Sequence, residues 1–216
     1  MKSVTLKISI ILTFISCINQ SKKPMDKLQQ QLNSETYGSL FLSSNQKVDS
    51  LWNQYQEALF VNLIKCETCS FKSRFLASEI IFHKKTFLPE KEMLPVLGKI
   101  YANTLKRSGI SNNQDLLVAN GWGFLYEEDD VGFIGKRIIL IGEPIIPYLY
   151  DLLDNTDEVF YQGSEDATIG NSYQYRIKDI AAFYIAKIKN IPITYYKDFE
   201  DRDKEIERLK AMLKTD

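Results

Sequence analysis

The sequence predicts an all-α protein whose helices stack as an antiparallel layer. Three observations lead there. Apolar residues recur every three or four positions along most of the chain, no segment alternates convincingly with period two over strand length, and Gly and Pro punctuate the ends of the periodic stretches. With 216 residues, 44% apolar and 25% charged, the chain has the composition of a globular protein and is long enough for a sizeable core. The net charge of −1 supplies no basic excess, which argues against a nucleic-acid partner.

The chain opens MKSVTLKISIILTFISC. Lys2 and Lys7 precede an apolar run, Ile8 to Ile15, that is too short to span a bilayer, and small Ser16 precedes Cys17. That is the layout of a secretory signal peptide over residues 1–16. It resembles a bacterial lipoprotein signal, and the resemblance implies that Cys17 is lipidated as the first mature residue. Phe14 departs from the Leu usual at that position. A plain cleaved signal or a buried N-terminal helix are the alternatives. Loss of Lys2 and Lys7 with the leader takes the net charge from −1 to −3. Ile18 stands where an Asp would retain such a protein in the inner membrane, so the expected address is the outer membrane. Residues 17–45 are polar and read as a tether, although Met25 to Leu32 could form a short helix.

A single helical domain is expected from residue 46 to the end. Its first helix carries Val48, Leu51, Tyr55, Leu59 and Leu63 on one stripe of about five turns, with Trp52 beside them. It ends near Cys66 and Cys69. In an oxidising compartment two cysteines three apart can close a small disulfide ring or remain free thiols. A redox function would call for a thioredoxin-like βαβ setting, which this stretch lacks, and zinc would need two more ligands in a chain whose only His is His83. The next helix, Phe71 to Phe87, places Leu76, Ile80, His83 and Phe87 on one side, so His83 is expected in the core. After Pro89, Leu94, Leu97, Tyr101 and Leu105 line another helix, with Pro95 in its first turn or at its start. Ser108 and Gly109 stop it. Residues 110–130 show no sustained period and read as a long loop, with a short helix near Gln114 to Ala119 as the alternative.

Val131, Ile134, Ile138 and Ile141 define the next helix, which Gly142 can end by taking positive φ. Arg137 to Ile141 could also pass for a buried strand on composition. Pro144 and Pro147 suit the opening of a further helix lined by Ile145, Leu149 and Leu152. Beyond a loop at 156–170, Ile177, Ala181, Tyr184 and Ile188 share one face. At IGEPIIPYLYDLLDN and YRIKDIAAFYIAKI the chain resembles a HEAT-type helical repeat spanning residues 131–190. The joining loop is longer than that family's, and no regular period extends elsewhere. Residues 198–213 close the chain as a charged helix with Ile206, Leu209 and Leu213 on its apolar edge, the pattern of a cap on a helical stack. Glu200 and Lys204 form an i, i+4 pair on it.

If successive helices run up and down, loops 110–130 and 156–170 share one end of the layer and face each other. With the start of the following helix they gather Trp122, Tyr126, Asp129, Asp130, Tyr161, Glu165, Asp166, Asn171, Tyr175, Arg176 and Asp179. Rings with hydroxyl tips suit a protein-binding surface, so the expected function is a protein–protein interaction module docking through these loops. The expected partner is a protein of the cell envelope, with the membrane touched only through the lipid anchor. A purely structural account serves each residue singly. Asp129 and Asp130 precede a helix whose amides they can satisfy, Asn171 or Ser172 can cap the last repeat helix, and Arg176 with Asp179 can bind loop carbonyls or form a ladder. No cofactor is implied. Asp129, Asp130, Glu165 and Asp166 could hold Ca²⁺ without EF-hand spacing, or a carboxylate pair could act as acid and base in a hydrolase. No G-x-S-x-G elbow or P-loop is present, and Gly163 to Gly170 lacks the lysine of the latter.

Overall fold

The computed structural model describes residues 23–43, 46–85, 90–110, 121–127, 130–162, 167–194 and 196–214. The protein is all-α. Among the described residues, β-structure is limited to β1 (Leu125–Glu127) paired antiparallel with β2 (Asp130–Val131) and two isolated bridges. The leader, Cys17 and the Gln114–Ala119 stretch lie outside the described residues. No helix among those described is long and apolar enough to cross a membrane.

The chain forms two compact units that divide at Lys84 and Lys85. In the first, residues 23–34 are helical (α1), so part of the stretch expected as a tether is folded, and it contains the short helix that Met25 to Leu32 allowed. Its polar residues conceal an apolar spacing: Leu28 and Leu32, at i and i+4, are fully buried, as is Leu40 in the π-helical turn Gly38–Leu42.

The stripe from Val48 to Leu63 is interrupted rather than continuous. Gln56 takes extended backbone (φ −70°, ψ 147°) and separates α2 (Gln46–Gln54) from α3 (Glu57–Lys65). Packing explains the break. Trp52 and Phe60 would stand roughly 12 Å apart along a straight helix at 1.5 Å per residue, yet their rings stack at 5.5 Å, with Tyr55 edge-on to Phe60 at 6.4 Å. The Tyr55 hydroxyl then donates to Gln31 Oε1 of α1 at 3.0 Å. Local periodicity cannot see this exchange of helix continuity for an aromatic cluster.

Residues 66–70 join α3 to α4 (Phe71–Lys84), and these two helices pack against each other. Cys66 and Cys69 are disulfide-bonded. From Ser73 to Phe82 every residue of α4 is buried, so the helix is enclosed and no single stripe describes it. His83, expected in the core, is exposed just past that enclosed stretch, with the Phe41 ring 5.9 Å from its own.

In the second unit α5 (Leu94–Arg107) starts with Pro95 in its first turn, after the 3-10 turn Lys91–Met93. α6 (Phe133–Ile141) is a helix, not the strand its composition allowed. Ile134, Ile138 and Ile141 are buried and Gly142 ends it at φ 71°. The 3-10 turn Glu143–Ile145 leads into α7 (Ile146–Tyr150), with Pro147 at its start and Ile145, Leu149 and Leu152 buried. After the short α8 (Ala167–Ser172) comes α9 (Ile177–Lys189), the central helix, which packs against α5, α6, α7 and α10 (Phe199–Leu213). Asn190 ends α9 in the left-handed region, and Asp198 caps α10 by accepting from the Glu200 and Asp201 amides.

Candidate functional site

The segments flanking the two predicted loops do come together, and backbone bonds hold them. Ile110 N–H donates to Glu158 C=O at 2.8 Å, Gly121 N–H to Phe160 C=O at 2.9 Å, and Val159 N–H to Tyr175 C=O at 2.8 Å. Bridges pair Gly109 with Val159 and Glu158 with Arg176. The extended stretch 158–161 therefore lies between the end of α5 and the entry to α9, joining three parts of the chain.

Two tyrosines fix the middle of this assembly. The Tyr184 hydroxyl, on α9, donates to the Phe124 carbonyl at 2.6 Å, and the Tyr161 hydroxyl donates to the next carbonyl, Leu125. Both side chains are buried, and burial pushes both phenols far above their ordinary range, so they remain donors at any physiological pH. The Tyr161 ring fits because its neighbours are glycines. A Cβ on Gly121 would stand 2.5 Å from the ring, and one on Gly170 would stand 2.8 Å from it. Asn171 completes the seat by accepting from the Tyr161 amide at 2.9 Å and donating to the Tyr161 carbonyl at 3.0 Å. It lies within α8 and does not cap α9.

A buried ion network occupies the adjoining corner. Arg176 is the N-cap residue of α9, and the fully buried Asp179 carboxylate accepts from the Arg176 amide at 2.9 Å, from Arg176 Nη2 at 2.8 Å and from Arg202 Nη1 at 2.7 Å. Arg176 also reaches Asp203 at 2.7 Å, and Lys178 meets the same carboxylate at 2.8 Å. The Phe199 ring lies within cation–π reach of both guanidiniums, 4.6 Å from Arg176 and 4.7 Å from Arg202. Arg202 Nη2 donates to the Tyr173 carbonyl at 2.9 Å, which ties α10 to the loop assembly. Burial alone would lower the Arg176 pKa, but the hydrogen bonds to Asp179 and Asp203 outweigh it and leave it raised.

These placements correct the expected binding surface. Tyr161, Tyr175, Arg176 and Asp179 are buried and offer no area to a partner. The Tyr161 hydroxyl, the Arg176 guanidinium and the Asp179 carboxylate are committed to intramolecular bonds because an irregular connection must satisfy its own backbone once it is packed. Tyr126 is half-buried, edge-on to Tyr161 at 6.3 Å, and Asn171 is half-buried. Only the backbone is described for Trp122, in the turn Gly121–Gly123, and for Asp130, in β2; Asp129, Glu165 and Asp166 lie outside the described residues. Among the described residues no three His, Cys, Asp or Glu side chains cluster as metal ligands.

Arg202 was missed although it carried a signal. It stands four residues before Ile206 and seven before Leu209, on the stripe that buries both. The exposed apolar side chains of the assembly were missed too: Ile110, Phe160 and Ile169 are 46%, 42% and 48% exposed.

Replacing Tyr161 by Phe leaves the buried Leu125 carbonyl without this donor and should cost about 1–3 kcal/mol, read from urea unfolding. Hydrogen bonds from Lys178 and Arg176 override the opposing effect of burial and hold the Asp203 carboxyl below its ordinary 3.8. A carboxylate with a depressed folded-state pKa stabilises above its unfolded pKa and loses that contribution as pH falls through the folded value. Asp203→Asn should therefore melt below the parent at neutral pH, and the two melting temperatures should converge in strong acid. No family model matches the chain, and no curated protein or solved structure shows significant similarity to it.

Proposed function

We propose that the protein is an exported, lipid-anchored helical-repeat module that docks another protein of the cell envelope through the joined loops at 110–130 and 156–170. The observation that carries this reading is the exposure of Ile110, Phe160 and Ile169 on a locked framework. Ile110 and Phe160 belong to the hydrogen bonds that join the segments, and Ile169 stands two residues before the Asn171 that grips Tyr161. Single exposed apolar residues are ordinary on protein surfaces. Three held by one tyrosine-pinned assembly offer a partner pre-ordered apolar anchors, which lowers the entropic cost of association. Buried rings supply rigidity and exposed aliphatic and aromatic tips supply contact. The HEAT-like reading of the C-terminal half draws support from the packing of α7 against α9 and from the Arg176–Asp179 pair at the start of α9.

Anchoring rests on the Lys2, Lys7, Ile8–Ile15 and Cys17 layout, and the −3 charge of the processed chain suits a soluble body held at a membrane, with the outer membrane the favoured address.

The double variant Phe160→Ser, Ile169→Ser should keep the parent's helical circular dichroism while its recovery of cross-linked envelope proteins falls about tenfold or more, the loss expected from removing apolar anchors worth over 1.4 kcal/mol. Undiminished recovery by a folded variant places docking elsewhere. Metabolic labelling with a fatty acid should mark the parent and leave Cys17→Ser unmarked; label on the variant removes the anchor.

A further inference from the structure

The Cys66–Cys69 bond lies in the link between α3 and α4, in the first unit, and nothing proposed above uses it. A disulfide stabilises mainly by restricting the unfolded chain, and the gain shrinks with the size of the ring. A sequence separation of three puts this one at the weak end. The link is moreover held without it. Cys69 N–H donates to Cys66 C=O at 3.2 Å, Arg74 Nε to Ile64 C=O at 2.9 Å, Ser70 Oγ to Asn33 Oδ1 at 2.5 Å and Ser73 N–H to Ser70 Oγ at 3.2 Å. Phe60, Leu63, Ile64, Phe75 and Leu76 are fully buried in the helices on either side. None of these bonds or buried side chains uses a sulfur.

The two sulfurs also stand in opposite fields. Cys66 is the C-cap residue of the nine-residue α3, its amide donating to Leu63 C=O at 3.2 Å. Cys69 stands two residues before the first residue of the fourteen-residue α4. Helix C-termini carry partial negative charge and N-termini partial positive charge, so a thiolate is disfavoured at Cys66 and favoured at Cys69. Both residues are partly exposed, and Glu67 and Thr68 between them are exposed, which leaves the bond open to a reagent from solvent.

We propose that Cys66–Cys69 is a reversible thiol–disulfide exchange site that accepts electrons from dithiols. The dithiol's first thiolate attacks Cys66 Sγ, the Cys66–Cys69 bond breaks, and Cys69 leaves as the thiolate. The second thiol of the reductant, deprotonated, then attacks its own sulfur in the mixed disulfide and expels Cys66. Two electrons pass to the protein, the reductant becomes a disulfide, and its two thiol protons are taken up by the protein thiolates through solvent. The α3–α4 setting, without the βαβ frame of thioredoxin-like proteins, makes the pair a participant in exchange, not a catalyst of exchange between other molecules.

The test treats the oxidised full chain with dithiothreitol in native buffer and in rising urea, quenches by alkylation, and maps Cys66 and Cys69 apart from Cys17 by peptide mass. Reduction in native buffer at a rate indifferent to urea below the unfolding transition is expected, with circular dichroism retained and the bond restored by oxidised glutathione. Reduction that appears only as the chain unfolds would overturn the proposal. A brief pulse of reduced glutathione, acid-quenched, reads the direction. The trapped adduct should sit on Cys66 over Cys69 by about tenfold, following the preference for the lower-pKa leaving thiolate. An even split, or an excess on Cys69, would refute the assigned direction.

Discussion

The second unit depends on two tyrosine hydroxyls satisfying two consecutive carbonyls. Phe124 and Leu125 stand between α5 and α6, where the Phe124 carbonyl also accepts from the Gly132 amide at 2.8 Å and Leu125 pairs with Val131, and a buried carbonyl left unpaired is costly. Tyr184 brings a donor from the central helix and Tyr161 brings one from the facing connection. The two bonds tie Phe124 and Leu125 to the central helix and to the facing connection. Gly121 and Gly170 belong to the same arrangement, since any side chain at either position would occupy the space of the Tyr161 ring.

The ion network around Asp179 does comparable work at the other edge. A fully buried carboxylate is tolerated only when charge and hydrogen bonds surround it, and here the start of its own helix, Arg176 and Arg202 provide them. Arg202 comes from α10, so docking of the last helix and neutralisation of the buried charge are one event. Phe199 sets its ring against both guanidiniums, and the Tyr173 carbonyl takes a remaining Arg202 N–H. The terminal helix expected to cap the stack by its apolar edge is thus also clamped by charge.

Helix class, most helix positions and the meeting of the two connections were legible in the sequence because each follows from periodicity and from Gly and Pro placement. Ile134, Ile138 and Ile141 behave as their spacing demands, and Gly142 stops α6 by the positive φ anticipated for it. What escaped was set by contacts between distant residues. The break at Gln56 brings Phe60 to Trp52 and Tyr55. The two connections meet, but Tyr161, Tyr175, Arg176 and Asp179, expected as contact residues, are buried. Tyrosine content alone cannot distinguish a ring that faces a partner from one that satisfies the protein's own carbonyls, and Tyr161 and Tyr184 are of the second kind. Ile110, Phe160 and Ile169 looked like ordinary loop residues until the buried rings fixed which side chains remained outside.

Amide hydrogen exchange tests the locking of the loops most directly. If the tyrosine pins hold the assembly as described, the amides of Ile110, Gly121, Val159 and Tyr161 exchange as slowly as those of Ala181 to Ile185 in the central helix, because all open only with the unit as a whole. Exchange of those four at the rate of exposed, unbonded chain, while α9 stays protected, would contradict the account.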